Sequence, residues 1–341
     1  MHEPAFWYRP PSLMSLLLSP LGAAYGAVAG HRLQRKGFDA GIPVICVGNY
    51  HTGGAGKTPT VLALVGLLGD LGETPVVLSR GYGGRLRGPV MVDPARHIAG
   101  DVGDEPLMLA RTVPVAVARE RLDGLALAKS QGATVVVMDD GFQNPVVAKD
   151  VSFIVIDANR GLGNTKIFPA GPLRAPLPPQ IDRTDALIVI GEGTAAEAVS
   201  AMVRAQDKPV LSAQLKADDG AVSWLRDQRV LAFAGIGDPA RFFRTLRACG
   251  IDVVREHAFA DHHPFTQGEI EPLLAEAGRD RLTVVTTEKD LVRLGVGAKM
   301  PAWAQGIVPF PVRLELEDAR TFCAFVSDRL SRARNRKFRK D

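Results

Sequence analysis

Apolar positions along this chain fall into short continuous runs. Those at 42–47, 75–79, 114–118, 134–138, 152–156 and 187–190 are four to six residues long and rich in Val and Ile, and several end at Gly or Asp. Continuous runs of this length predict strands buried on both faces of a parallel sheet. Helical stretches separate them, such as 61–65 and roughly 119–130. Strands alternating with helices predict a doubly wound α/β core over 39–208. Strand 209–215, the polar turn at 216–220 and a returning segment through Trp224 predict a hairpin-like linker over 209–228. A second, smaller α/β unit is expected at 229–328, opening with the run 230–234, and a basic tail at 329–341.

The N-terminus (1–38) departs from this pattern. No charged residue lies between Pro10 and Gly30, while Arg9 precedes the segment and His31, Arg32, Arg35 and Lys36 follow it. Phe6-Trp7-Tyr8 suits a headgroup interface. Four readings compete. A cleaved signal peptide ending at Ala27-Val28-Ala29 is opposed by Glu3 and by the nucleotide loop downstream, which belongs in the cytoplasm. A spanning helix is opposed by Pro20, Ser15, Ser19 and the glycines at 22, 26 and 30. A buried hairpin of the soluble fold is the third. A helix embedded in one leaflet, its cations toward anionic headgroups, fits these residues best.

Candidate chemistry begins where the run 42–47 ends. His51-Thr52-Gly53-Gly54-Ala55-Gly56-Lys57-Thr58 leads into an apolar helical run. Strand, glycine loop, Lys-Thr and helix predict a phosphate-binding loop, although His51 stands where the strict pattern has glycine. Glycines let backbone N–H groups converge on phosphate oxygens, and the helix N-terminus adds partial positive charge. Lys57 is placed to reach the β- and γ-phosphates and Thr58 to ligate Mg²⁺. The run 134–138 closes on Asp139-Asp140, the Walker B pattern, which brings an acid beside the phosphate loop. The pattern does not choose between the two aspartates.

Other clusters stay open on local grounds. Arg80-Gly81-Tyr82-Gly83-Gly84-Arg85 embraces an anionic substrate or forms a mobile loop. Asp104 and Glu105 complement a helix dipole or take part in catalysis. Asp261-His262-His263 suggests metal, but no second cluster at ligand spacing supports zinc, and a base-tuning Asp/His role is favoured. Gly235-Ile236-Gly237 lacks the third glycine of a nucleotide fingerprint and is read as a tight strand–helix turn. Thr287-Glu288-Lys289-Asp290 reads a nucleotide base or caps a helix.

Composition narrows the classes. At 341 residues, 46% hydrophobic and 23% charged, the chain is an ordinary globular protein long enough for two domains. A net charge of +4 is too small to argue for nucleic acid. Cys46, Cys249 and Cys323 form no zinc or CxxC pattern and suggest a reducing compartment. The tail, with Arg332, Arg334, Arg336, Lys337, Arg339 and Lys340, is expected to be mobile, touching anionic lipid or simply solubilising.

Taken in order, the clusters resemble the tetraacyldisaccharide 4'-kinase family of lipid A biosynthesis. The resemblance runs through Gly53-Gly54-Ala55-Gly56-Lys57-Thr58-Pro59, Ser79-Arg80-Gly81-Tyr82-Gly83-Gly84 and Gly103-Asp104-Glu105-Pro106. It continues through Asp139-Asp140-Gly141-Phe142-Gln143, the segment 168–174 ending in Arg174, the segment 233–239, Asp261-His262-His263 and Thr286-Thr287-Glu288-Lys289-Asp290. It implies a P-loop NTPase (RecA-like) parallel sheet with a smaller α/β domain and a membrane-associated N-terminal helix. The implied reaction is transfer of the γ-phosphoryl of ATP to an acylated glucosamine disaccharide monophosphate, at the cytoplasmic face of the inner membrane. Asp104 matches the family's catalytic base and His262 its dyad partner. Lys57 and the amides of 51–58 hold ATP phosphates. Thr58 and Asp139 hold Mg²⁺, with Asp140 and Glu105 as further candidates. Arg80, Tyr82 and Arg119 are candidates for the substrate's phosphate and sugar, and Glu288 and Lys289 for the nucleotide base. The expected partners are the lipid A disaccharide precursor and an anionic membrane surface, with no nucleic acid, and the chain is expected to act as a monomer. A membrane-associated switch ATPase shares the phosphate loop, and a nucleotide-binding adaptor shares ATP; neither explains the later motifs.

Overall fold

Each apolar run forms a strand because both of its faces are covered. The computed structural model describes residues 3–10, 12–295 and 300–338. It begins with helix α1 (Leu13–Leu33). The large unit then adds β1 (Val44–Gly48), α2 (Lys57–Asp70), β2 (Pro75–Ser79), β3 (Val90–Met91), α3 (Ala99–Val102), α4 (Asp104–Leu109), β4 (Val115–Val117), α5 (Arg121–Ser130), β5 (Val135–Asp139), β6 (Val151–Asp157), α6 (Leu177–Asp182), β7 (Ala186–Ile190), α7 (Glu197–Arg204) and β8 (Val210–Ala217). After α8 (Asp219–Leu225) the smaller unit runs through β9 (Arg229–Ala234), α9 (Pro239–Ala248), β10 (Asp252–Ala258), α10 (Gln267–Asp280), β11 (Thr283–Thr287), α11 (Glu288–Leu294) and β12 (Val308–Phe310). The chain ends in β13 (Val312–Leu316) and α12 (Ala319–Phe338).

The large sheet has nine strands in the order β13-β8-β7-β6-β1-β5-β2-β4-β3. All pairs are parallel except β3–β4 and β8–β13. β1 lies between β5 and β6, so the phosphate loop and the acid that closes β5 emerge side by side at one carboxyl edge. Alternate residues of β1 enter opposite cores. Ile45 and Val47 join Leu64 and Leu68 of α2 and Phe322, Val326 and Leu330 of α12. Val44 and Cys46 join Leu125 of α5 and Val199 and Val203 of α7. The smaller sheet is parallel, in the order β10-β9-β11-β12, with α9 over one face and α10 over the other.

Three expectations are corrected. First, 209–228 is no hairpin. β8 pairs with β7 and β13 in the large sheet, and the segment through Trp224 is the helix α8, capped by the Asp218 side chain accepting from Ala221 N–H at 3.0 Å. Second, β13 and α12 return to the large unit, because Leu314 and Phe322 complete its core. Third, the tail is helical through Phe338. Arg334 reaches Glu73 at 2.5 Å and Lys337 reaches Asp150 at 3.2 Å. Residues 339–341 lie outside the described residues.

The N-terminal helix docks through its small residues. A Cβ on Gly22 would come within 2.9 Å of the Ile167 carbonyl oxygen, and one on Gly26 within 2.6 Å of Ile167 Cδ1. Leu13, Leu16, Leu17, Leu21 and Val28 stay exposed, Leu13 at 73%. The aromatic cluster before it faces the protein. Trp7 is buried, its Nε1–H donates to the Pro169 carbonyl at 3.1 Å, and its ring meets Phe168 edge-on.

Removing residues 329–341 takes Leu330 and Ala333 out of a close-packed core. The expected cost is about 2–5 kcal/mol, read as a fall in melting temperature. A mobile tail would leave the melting temperature unchanged.

Candidate active site

The phosphate loop leaves the central strand and ends on the N-cap of α2. Gly56 adopts φ 91°, and a Cβ there would lie 2.6 Å from Ile190 Cδ1, so both backbone and space demand glycine. Lys57 and Thr58 follow in the first turn, with Lys57 Nζ 3.9 Å from Asp140 Oδ1. His51 and Thr52 tie the loop to the segment 172–174. His51 bridges to Leu173 and donates from Nδ1 to the Thr52 carbonyl at 2.7 Å, while Thr52 N–H donates to Pro172 O at 2.9 Å. Burial, with Lys57, Arg174 and Arg160 nearby, pushes the His51 imidazole down to about 4, so it is neutral at physiological pH.

The two Walker B aspartates stand in opposite environments. Asp139 is buried and, among the described residues, its Oδ1 has no hydrogen-bond partner. Burial, then the charges of Glu105 and Asp140, push its carboxyl up to about 7. Asp140 feels burial too, but Lys57 and Arg174 outweigh it and hold that carboxyl well below the usual range. Arg174 Nη1 donates to Asp140 Oδ1 at 2.6 Å. An unpartnered buried carboxylate oxygen on the strand next to β1, within the field of Lys57, fits a hard cation.

A second acidic pair is brought to this edge by close backbone packing. A Cβ on Gly84 would lie 2.6 Å from Asp101 O, and one on Gly103 2.5 Å from Tyr82 O. The loop 80–85 thus lies flat against the start of α4 and fixes Asp104 and Glu105. Asp104 Oδ2 accepts from His262 Nδ1 at 3.1 Å, a contact across 158 residues between the two units. It also accepts from Arg293 Nε at 2.7 Å and from Arg293 Nη2, with Lys289 Nζ at 3.8 Å. Lys289 Nζ donates to Glu105 Oε1 at 3.0 Å. Burial alone would raise both acids. The His262 hydrogen bond, Lys289 and Arg293 instead hold Asp104 well below the usual carboxylate range, and Lys289 and Lys57 do the same for Glu105. Glu105 in turn acts on Asp139, so the acid pair and the phosphate loop share one field.

The remaining candidates divide. Tyr82 is exposed, and its ring meets His262 edge-on at 5.8 Å. Arg80 is exposed on the same loop, and Arg119, exposed after β4, reaches the Gly84 carbonyl at 3.5 Å. Lys289 is engaged by Glu105 and Asp104, and Glu288 accepts from the Val312 backbone N–H, so both join the two units. Thr287 caps α11, accepting from Asp290 N–H at 3.1 Å, as the alternative reading expected. Sequence reasoning gave no role to Arg174, Arg121 or Arg293. Arg174 closes a motif already singled out. Arg121 is buried and faces the charge of Asp139. Arg293 lies one turn beyond Lys289 and Asp290 on α11, a spacing that places all three on adjoining faces.

Residues 14–331 match the family described as tetraacyldisaccharide-1-P 4'-kinase. The chain belongs to this family. It is 65% identical over 338 residues to the tetraacyldisaccharide 4'-kinase of Bradyrhizobium diazoefficiens, covering 99% of each chain. It is 62% identical over 334 residues to that of Nitrobacter winogradskyi, covering 98% of this chain and 99% of the relative. Its structure is similar to the "apo" form of LpxK from Aquifex aeolicus in complex with ATP, with TM-score 0.72 and 25% identity, over 93% of this chain and 100% of that one. As a member of the 4'-kinase family the protein is an enzyme with a P-loop α/β fold.

The raised Asp139 carboxyl has a consequence for stability. It binds a proton in the folded chain at pH values where the unfolded chain has lost it, so its contribution falls as pH rises from about 4 to about 7. In Mg²⁺-free buffer, Asp139→Asn is expected to flatten that part of the pH–stability curve, by roughly 4 kcal/mol at most. Urea unfolding of both proteins between pH 5 and 8 checks this. Parallel curves would refute it.

Proposed function

We propose that this chain transfers the γ-phosphoryl group of ATP to the 4'-hydroxyl of a tetraacyldisaccharide 1-phosphate, giving lipid IVA at the cytoplasmic face of the inner membrane. The observation that carries the reading is the 3.1 Å contact of Asp104 with His262 beside the phosphate loop. It joins a proton acceptor to a partner from the other unit, within the field of Glu105, Lys57 and Asp139.

Each part has a role in phosphoryl transfer. The loop amides and Lys57 hold the phosphates and neutralise developing charge. Asp104 accepts the proton of the 4'-hydroxyl as the new O–P bond forms and the bond to the β,γ-bridging oxygen breaks. His262 orients that carboxylate. A carboxylate held this acidic is a weak base, which suits a loose transition state in which positioning dominates. Thr58 and Asp139, with Asp140 or Glu105, would hold Mg²⁺, which would supply positive charge to polarise the transferring phosphoryl group. Tyr82, beside His262, and the exposed Arg80 and Arg119 line the approach for the sugar and its 1-phosphate.

The acceptor also gives α1 a purpose. Its exposed leucines, with His31 and Arg32 in its last turn and Arg35 and Lys36 beyond it, suit insertion into one leaflet against anionic headgroups. Docking through Gly22 and Gly26 keeps the helix against the soluble body, and so brings the site to the surface where the lipid lies.

Two measurements test this. With γ-labelled ATP and detergent-solubilised disaccharide-1-phosphate lipid, wild type is expected to label the lipid and Asp104→Ala to lose on the order of 10²–10⁴ of that rate. ATP hydrolysis by wild type without labelled lipid would defeat the kinase reading in favour of a switch ATPase. Separately, Leu17→Glu with Leu21→Glu is expected to abolish sedimentation with anionic vesicles while leaving ATP binding intact; undiminished sedimentation would rule out α1 as the anchor.

A further inference from the structure

Arg293 stands at the junction of three elements. Its side chain is only 5% exposed and all three of its nitrogens are used. Nε and Nη2 donate to Asp104 Oδ2 in the large unit. Nη1 donates at 2.6 Å both to Asp290 Oδ1, one turn back on its own helix, and to the Gly235 carbonyl at the end of β9. That carbonyl is shared: it also accepts from the backbone N–H of His262 at 3.1 Å. Gly235 N–H donates to Asp290 Oδ2 at 3.1 Å. One planar guanidinium therefore grips the carboxylate of Asp104 on one side and the peptide that holds His262 on the other.

We infer that Arg293 is a positioning residue for phosphoryl transfer, a bracket that sets the distance between Asp104 and His262 and decides which oxygen of Asp104 receives the proton. The lone pairs of Asp104 decide which oxygen that is. Oδ2 takes His262 Nδ1 and both Arg293 donors, with Lys289 close by, and its acceptor capacity is filled. Among the described residues Oδ1 accepts only from Glu105 N–H, at 3.0 Å. The lone pair left for the acceptor hydroxyl is on Oδ1. Lys289 cannot replace the bracket, because an ammonium offers donors without a rigid fork and this one is directed to Glu105. The inference rests on Asp104 as the proton acceptor.

The test is steady-state phosphoryl transfer to the disaccharide lipid by wild type, Asp104→Asn, Arg293→Met, Arg293→Lys and the double variant Asp104→Asn with Arg293→Met. Arg293→Met is expected to lower kcat roughly 10²-fold, with KM for ATP and for lipid within about threefold of wild type. Arg293→Lys, which restores a charged donor but not the fork, is expected to recover only part of that loss, about threefold. In the Asp104→Asn background the Met substitution is expected to add almost nothing, because both changes act through one carboxylate. Wild-type kcat in Arg293→Met would overturn the inference. So would a rise in KM at unchanged kcat, a Lys variant no better than Met, or losses that multiply in the double variant; each assigns Arg293 to folding alone. Should Asp104→Asn keep its rate, the acceptor assignment itself falls; Asp104→Asn inactive with Arg293→Met active removes the bracket only.

Discussion

One carboxylate oxygen, Oδ2 of Asp104, draws on both units of this protein. It collects donors from His262 and Arg293, both in the smaller unit, while its own helix belongs to the larger one. Stripping water from a carboxylate costs several kcal/mol, and the charge is tolerable only while its partners remain in place. The register of one unit on the other is therefore tied to the chemistry. Any relative shift that separated the units would uncover Asp104 and take away the partner of Arg293 Nε and Nη2 together.

The phosphate-loop edge follows a related rule with the opposite outcome. Asp139 and Asp140 are neighbours in sequence, yet cations reach only one of them well. Lys57 and Arg174 satisfy Asp140, and Asp139 keeps an unpartnered oxygen at a cost to the empty enzyme. Sites that must bind charge late in a cycle commonly hold such a deficit.

Most of the architecture was legible because burial on both faces leaves a plain mark. Residues 135–138 and 153–156 are apolar without interruption, and the phosphate loop adds glycines where φ and space require them. The smaller unit was legible from its own apolar runs, but its limits were not. β13 (Val312–Leu316) alternates exposed and half-buried residues, as an edge strand does, and nothing local says which sheet it joins. The basic tail looked solvated because its cations are evenly spread; their partners, Glu73 and Asp150, lie more than 180 residues away. Distance in sequence hid the site as well. Asp104 and His262 could be paired beforehand only through a family resemblance, and Arg293, which has no motif of its own, could not be found until α11 was set against α4.

The route of the chain between the units has one further consequence. It leaves the large sheet after β8 and re-enters it at β13, the antiparallel neighbour of β8, and the two crossings touch: Asp218 N–H donates to the Pro311 carbonyl at 3.0 Å. The smaller unit is thus spliced into what would otherwise be a hairpin loop, with its entrance and exit side by side. Such an insert can lengthen, shorten or drift in sequence without disturbing the host sheet, provided its two ends stay together. Its freedom to diverge stops at the face that meets Asp104.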